Sequence, residues 1–109
     1  MENLHKLVNL RRLSLDKNYI TKITGIKHLR KLETLSLKGN RLKEPSPTDS
    51  SEPLLELKEL FLSDNKIECI EAVHSFPNIE EIELSGNPIT MIFPGAFSTT
   101  LKLSVLIIN

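Results

Sequence analysis

The chain has 109 residues, and its 14 Lys and Arg balance its 14 Asp and Glu, which gives a formal net charge of zero. This balance argues against a general nucleic-acid or anionic-membrane binder, because such proteins usually carry a basic excess. Aromatic residues make up only 5% of the chain, so the core must be aliphatic, and the only cysteine, Cys69, excludes an intrachain disulfide and favours a reducing compartment.

One segment with the pattern L-x-x-L-x-L-x-x-N-x-I recurs in chain order, with Ile replacing Leu or Leu replacing Ile at some positions. Its full copies cover residues 10–20, 32–42, 57–67 and 79–89. The asparagines of the pattern follow one another at steps of 22, 25 and 22 residues, at Asn18, Asn40, Asn65 and Asn87. A half repeat over 1–9 and a truncated fifth repeat over 103–109 flank the four repeats of 10–102, so the whole chain, 1–109, is predicted to be one repeat domain.

Each repeat is predicted to form one coil of a solenoid. Leu13 and Leu15 alternate with a polar residue, as in a short strand with one buried face. The apolar residues after Asn18 recur every third position, from Ile20 to Leu32, which is typical of a 3₁₀ or loosely helical return. One coil buries too few aliphatic side chains to offset its lost conformational entropy, so neighbouring coils must share a buried stripe.

These repeats resemble the leucine-rich repeat family. The 22-residue step and the three-residue spacing between copies are similar to the short intracellular subfamily typified by the regulatory subunit of protein phosphatase 1. The resemblance implies an α/β fold, namely a right-handed solenoid whose concave side is a parallel sheet of about five short strands joined by 3₁₀ or loop returns. The segment Ile92–Phe97 departs from the short pattern and is similar to longer repeats in which a Phe fills the return side.

The four repeated asparagines are predicted to form a structural ladder. Each lies where the strand turns toward the return, and a side-chain amide there can pair with backbone groups that the turn leaves unsatisfied. The alternative is a set of ordinary surface turn asparagines. Because the asparagines keep a fixed register with the flanking leucines, we favour the buried ladder.

The residues that alternate with the buried leucines are predicted to project from the concave sheet and to bind a partner. They run from basic, with Arg11 nearby, to acidic along the solenoid, which suits oriented docking of a complementary protein. Phe61 is either an isolated exposed aromatic or a binding anchor. The predicted face comprises Arg12, Ser14, Asp16, Thr34, Ser36, Lys38, Glu59, Phe61, Ser63, Glu81, Glu83 and Ser85.

The second full repeat, which begins at residue 32, is longer by three residues, which fall in the Pro- and Ser-rich stretch 43–53. This composition predicts an exposed loop on the return side. Ser46 before Pro47 could suit a kinase, with an inert loop as the alternative. Neither end of the chain shows a polar cap, so we expect the sequence to be part of a longer chain or complex.

Catalytic and cofactor motifs are missing from the sequence. We therefore expect that the protein is not an enzyme and that it has no cofactor and no metal site. It contains neither a phosphate-binding glycine loop nor a metal-ligand spacing. His5, His28 and His74 fall in different coils, and the cluster of Glu80, Glu81 and Glu83 has no nucleophile beside it.

The resemblance therefore implies a protein-interaction scaffold or regulatory adaptor, since similar proteins regulate phosphatases, assist tubulin folding, or belong to axonemes and the spliceosome. A cytoskeletal or ciliary setting is an analogy at the level of the fold. The alternatives are a ribonucleoprotein adaptor resembling the spliceosomal A-prime protein and an extracellular recognition domain. We expect another protein as partner, without direct nucleic-acid or membrane binding, in an intracellular, cytoplasmic or cytoskeletal location, with the nucleus as an alternative.

Overall fold

The computed structural model describes residues 7–45, 54–71, 76–97 and 102–108. Seven short strands are connected there by turns and bends. No helix of any type occurs within these ranges, so the described returns are of the loop kind, one of the two kinds that the resemblance implies. The strands are β1 (Arg12–Ser14), β2 (Thr34–Ser36), β3 (Glu59–Phe61), β4 (Cys69–Ile70), β5 (Glu81–Glu83), β6 (Met91–Ile92) and β7 (Val105–Ile107).

The main sheet is parallel and has five strands in the order β1-β2-β3-β5-β7, which confirms the predicted solenoid sheet. The middle residue of each strand is in register with the middle residue of its neighbour, and these residues form one continuous inward row. The row consists of Leu13, Leu35, Leu60, Ile82 and Leu106. Because successive side chains of a strand point to opposite faces, the flanking residues of each strand lie on the other side of the sheet.

The core lies between the sheet and the returns and is almost entirely aliphatic. Leu35, Leu60 and Ile82 are fully buried beside return residues such as Ile23 and Ile70. The one large aromatic that is fully buried among the described residues is Phe76, which precedes the fourth strand of the main sheet. Each coil therefore supplies a few apolar rungs, and its neighbours complete their burial.

A second, two-stranded parallel sheet lies on the return side, where the repeat pattern predicts only returns. It pairs β4 with β6, so that Cys69 is opposite Met91 and Ile70 is opposite Ile92. The Phe93 N–H continues the pairing by donating to the Ile70 carbonyl at 2.9 Å. Adjacent returns thus hydrogen-bond to each other in these two coils.

Parts of three predictions fall outside the described residues. Residues 1–6 of the half repeat, with His5, are among these, as are residues 46–53 of the predicted loop and His74. Of the loop's first residues, Lys43 and Glu44 are exposed as expected, whereas Pro45 is buried. In the ranges that the structure describes, no helix has the length and apolar character needed to cross a membrane.

Candidate protein-binding face

Two rows of side chains cover the outer side of the main sheet, and we call them together the strand face. The strand register defines the rows, because residues paired across adjacent parallel strands lie side by side at the usual spacing of about 4.8 Å. The first row is Arg12, Thr34, Glu59, Glu81 and Val105. The second row is Ser14, Ser36, Phe61, Glu83 and Ile107.

A third row extends the face just beyond the strand ends. Backbone hydrogen bonds continue there between coils: the Gly39 N–H donates to the Ser63 carbonyl, and the Asp64 N–H donates to the Ser85 carbonyl. The row contains Asp16, Lys38, Ser63 and Ser85. Ser63 does not fit the expectation of an outward side chain, because it is buried with 6% exposure. It is a short side chain in a central coil, with a coil on each side.

Hydrogen bonds fix several polar side chains of the face. Asp16 is held by two donors, since one carboxylate oxygen accepts from Ser36 Oγ at 2.7 Å and from the Lys38 N–H at 2.9 Å. Thr34 Oγ1 donates to a carboxylate oxygen of Glu59 at 2.9 Å. The first three coils are therefore tied together across the face, which lowers the entropy that their side chains would lose on binding a partner.

Phe61 lies near the middle of the second row and is half-buried. Its neighbours in register are Ser36 on one side and Glu83 on the other. The Lys38 ammonium lies over the Phe61 ring, 5.3 Å from the centroid, within the range of a cation–π interaction. The ring is therefore oriented by a neighbour and keeps part of its area available to a partner.

Charge changes sign along the strand face. Arg12 is exposed at the first coil, whereas Glu59, Glu81 and Glu83 occupy the third and fourth coils. Arg11, at the margin of the face, is neutralised in part by Glu33, with 2.7 Å between Nη1 and Oε2. The carboxylates of the third and fourth coils, which we call the acidic half of the face, therefore outweigh the positive charge of the first coil. They are adjacent to the apolar side chains of β7.

The repeated asparagines connect successive coils beside the strand face. The side-chain oxygens of Asn40, Asn65 and Asn87 accept the backbone N–H of Ile20, Leu42 and Ile67 of the preceding coil, at 3.0–3.1 Å. Their side-chain nitrogens donate to leucine carbonyls of the same coil and the preceding one. Asn18, in the first coil, is exposed and donates to Leu15 and Asp16 of its own turn.

Catalytic geometry is not evident in the described part of the chain. No group of three or more His, Cys, Asp or Glu side chains lies there in an arrangement that could hold a metal ion. Cys69 is a free, half-buried thiol. The strand face instead offers charged and aromatic side chains in fixed positions, and such a surface can bind another protein.

Comparison with known proteins identifies the repeat. A family model described as "Leucine Rich repeats (2 copies)" matches residues 2–50 and again residues 56–95. The chain belongs to the leucine-rich repeat family. It is also similar to the mouse protein "Leucine-rich repeat and WD repeat-containing protein 1", with 35% identity over 79 residues. That match covers 72% of this chain but only 11% of the mouse protein.

Leucine-rich repeat domains are typically modules that bind other proteins, and they are typically not enzymes. Within this domain, sequence reasoning missed two members of the strand face, Val105 and Ile107, which remain 39% and 38% exposed. A signal was available, because the partial repeat that begins at Leu103 aligns these two residues with Arg12 and Ser14.

Proposed function

We propose that this leucine-rich repeat domain is a non-catalytic scaffold or regulatory adaptor that binds one partner protein on the strand face. The observation that carries the proposal is the second row, where Phe61, Glu83 and Ile107 lie on three adjacent strands. An oriented aromatic, a carboxylate and an exposed aliphatic side chain follow one another there. Aromatic side chains are enriched among the residues that dominate binding energy.

The charge of the face supports a partner of complementary chemistry. Glu59 and Glu81 continue the acidic half in the first row, beside Glu83 in the second. A basic side chain next to an apolar one in the partner would contact these carboxylates and Phe61 together. Opposed charges would chiefly set the orientation and speed of docking, and the apolar contacts would supply most of the affinity.

Quantitative affinity purification from cells tests this proposal. The wild-type domain would be compared with Phe61→Ala and with the charge-reversal variant Glu81→Lys/Glu83→Lys. We expect one set of proteins to be depleted about tenfold or more in both variants, which corresponds to a loss of about 1.4 kcal/mol or more in binding free energy. The result that would sink the proposal is an unchanged set of captured proteins with both variants.

A matched control separates the position of the charges from their number. Glu56 and Glu71 are exposed and lie outside the strand face. Glu56→Lys/Glu71→Lys therefore changes the net charge as much as Glu81→Lys/Glu83→Lys does. Equal depletion by the two double variants would show a general charge effect and contradict docking on the strand face.

For the cellular setting, we propose an intracellular location, cytoplasmic or cytoskeletal. The free thiol of Cys69 and the absence of a second cysteine support it, because secreted domains of this size commonly rely on disulfides. Imaging of the tagged protein in cells tests this proposal. Signal confined to the secretory pathway or the nucleus would contradict it, and a nuclear signal would favour the ribonucleoprotein alternative.

A further inference from the structure

A second surface is positively charged, in contrast to the acidic half of the strand face. It lies beside the turns that follow the repeated asparagines. It is a cleft of about 390 Å³ that spans the first three coils. A volume of this size is within the range of binding clefts. Its lining consists of Thr21, Lys22, Ile23, Arg41, Lys43, Glu44 and Lys66. We call this surface, with the adjoining Tyr19, the cationic groove.

Backbone hydrogen bonds between coils hold the residues of the groove in place. Arg41 and Lys66 are the residues that follow Asn40 and Asn65. The Arg41 N–H donates to the Ile20 carbonyl, and the Lys66 N–H donates to the Leu42 carbonyl, each at 2.8 Å. Consecutive coils therefore present their side chains at a fixed spacing, and a ligand would find the groove already formed.

The lining of the groove carries a net positive charge. Four of the lining side chains are cationic, and Glu44 is the one carboxylate among them. No ion pair to another described residue involves Lys22, Lys43 or Lys66. The Arg41 guanidinium stacks on the Tyr19 ring, 4.6 Å from its centroid. Because four cations outnumber one carboxylate in the lining, the groove attracts anionic groups.

The shape of the groove favours an extended ligand over a single small anion. A shallower depression of about 500 Å³ adjoins the cleft and shares Thr21 and Lys22 with it. Tyr19 lines this depression and is 77% exposed. Ile23, which is fully buried, forms apolar floor in the cleft. Cations beside an open aromatic ring and an aliphatic floor can contact a chain in which anionic and apolar side chains adjoin.

We propose that the cationic groove binds an acidic peptide segment in which apolar side chains lie among the carboxylates. The carboxylates contact Lys22, Lys43 and Lys66, and an apolar side chain packs on Tyr19. This site is separate from the strand face, and its binding does not depend on the function proposed there. The domain therefore has two surfaces of opposite charge, which would allow it to bind two different partners or two segments of one.

Fluorescence anisotropy with a defined probe tests the proposal. The probe is a short fluorescein-labelled peptide of alternating glutamate and leucine, and the matched peptide has glutamine in place of glutamate. We expect saturable binding of the acidic peptide, weakened about tenfold or more in Lys22→Glu/Lys43→Glu because two attractive pairs become repulsive. Binding should also fall as NaCl is raised from roughly 0.05 to 0.5 M, since salt screens exposed charges.

Two control variants make the outcome specific to the groove. Lys27 and Lys31 are exposed cations that do not line the groove. Lys27→Glu/Lys31→Glu carries the same net charge as the groove variant, and we expect it to retain affinity within about twofold, as an exposed site away from the ligand should. Phe61→Ala should also retain it, so that loss of the strand-face function and loss of the groove function can be told apart. Circular dichroism melts would verify that each variant is folded.

Tyr19→Ala tests the apolar part of the proposal. We expect it to weaken binding of the glutamate–leucine peptide by about threefold to tenfold, within the usual range for an exposed aromatic contact, and to leave binding of a glutamate–serine peptide unchanged. Equal affinity of the glutamate and glutamine peptides, or equal losses in the groove and control variants, would overturn the proposal. A labelled oligothymidylate that bound more tightly than the peptide, and through the same lysines, would overturn the choice of a peptide ligand.

Discussion

Replacing Asn65 by Ala perturbs the asparagine ladder at its most buried position among the described residues. Asn65 is 3% exposed and makes four hydrogen bonds, two of them to the preceding coil and two within its own turn. Its oxygen accepts the Leu42 N–H at 3.0 Å. Its nitrogen donates to the carbonyls of Leu37 and Leu62 at 3.0 Å and to that of Ser63 at 3.2 Å.

Loss of the four hydrogen bonds leaves one backbone group without a partner, while the other three keep one. Each of the three carbonyls retains another donor, namely Asn40 Nδ2, Asn87 Nδ2 or the Gly39 N–H. The Leu42 N–H, in contrast, is left buried without its acceptor. One unsatisfied buried N–H costs about 1–3 kcal/mol, and the weakened carbonyl interactions add about 1 kcal/mol. We therefore expect Asn65→Ala to lower the free energy of unfolding by about 2–4 kcal/mol.

Urea unfolding followed by far-ultraviolet circular dichroism measures this loss as a lower midpoint at unchanged m-value. Asn18→Ala is the matched control, because Asn18 is exposed and donates only within its own turn. For this control we expect a loss below about 1 kcal/mol. Equal losses for the two variants would refute the reasoning, because they would show that hydrogen bonding between coils does not distinguish the two asparagines.

Two further stability predictions use the same denaturation assay. Leu60→Ala should lower the free energy of unfolding by about 2–5 kcal/mol. Leu106→Ala, in the same row but 40% exposed on the edge strand, should lower it by less than about 1.5 kcal/mol. Similar losses would contradict the assignment of β7 to the sheet edge. Gly39 and Gly86 both have positive φ, of 69° and 72°, and alanine should cost about 1–2 kcal/mol at each for that reason. Gly86→Ala should cost little more than Gly39→Ala, because its new Cβ would meet the end of the exposed Asp64 side chain, which can rotate away. A much larger loss at Gly86 than at Gly39 would contradict this expectation.

The inward row and the sheet order could be predicted because each repeat contains its own register. Leu13 and Leu15 show period two, and the recurrence of the pattern aligns the strands without any knowledge of their contacts. The burial of Ser63 could not be predicted in this way. Its position in the repeat matches those of Lys38 and Ser85, which are half-buried, so the repeat pattern alone does not distinguish it from them.

The features of the return side were less accessible from the sequence. Cys69–Ile70 and Met91–Ile92 lie in segments whose three-residue spacing favours tight turns, so their pairing as strands was not predicted. The cationic groove was also missed, because its lysines occupy different positions in their repeats and meet only when three coils stack. A partial signal exists in the residues that follow the repeated asparagines, namely Tyr19, Arg41 and Lys66.

Site-specific photo-crosslinking in cells tests the central claim that a partner binds the outer side of the main sheet. A photoreactive phenylalanine analogue would replace Phe61 in one protein and exposed Lys31, which lies off the strand face, in another. We expect a discrete crosslinked species from position 61 that disappears when Glu81→Lys/Glu83→Lys is added, and none from position 31. The same crosslinked species from position 31, or its persistence after the charge reversal, would contradict the account.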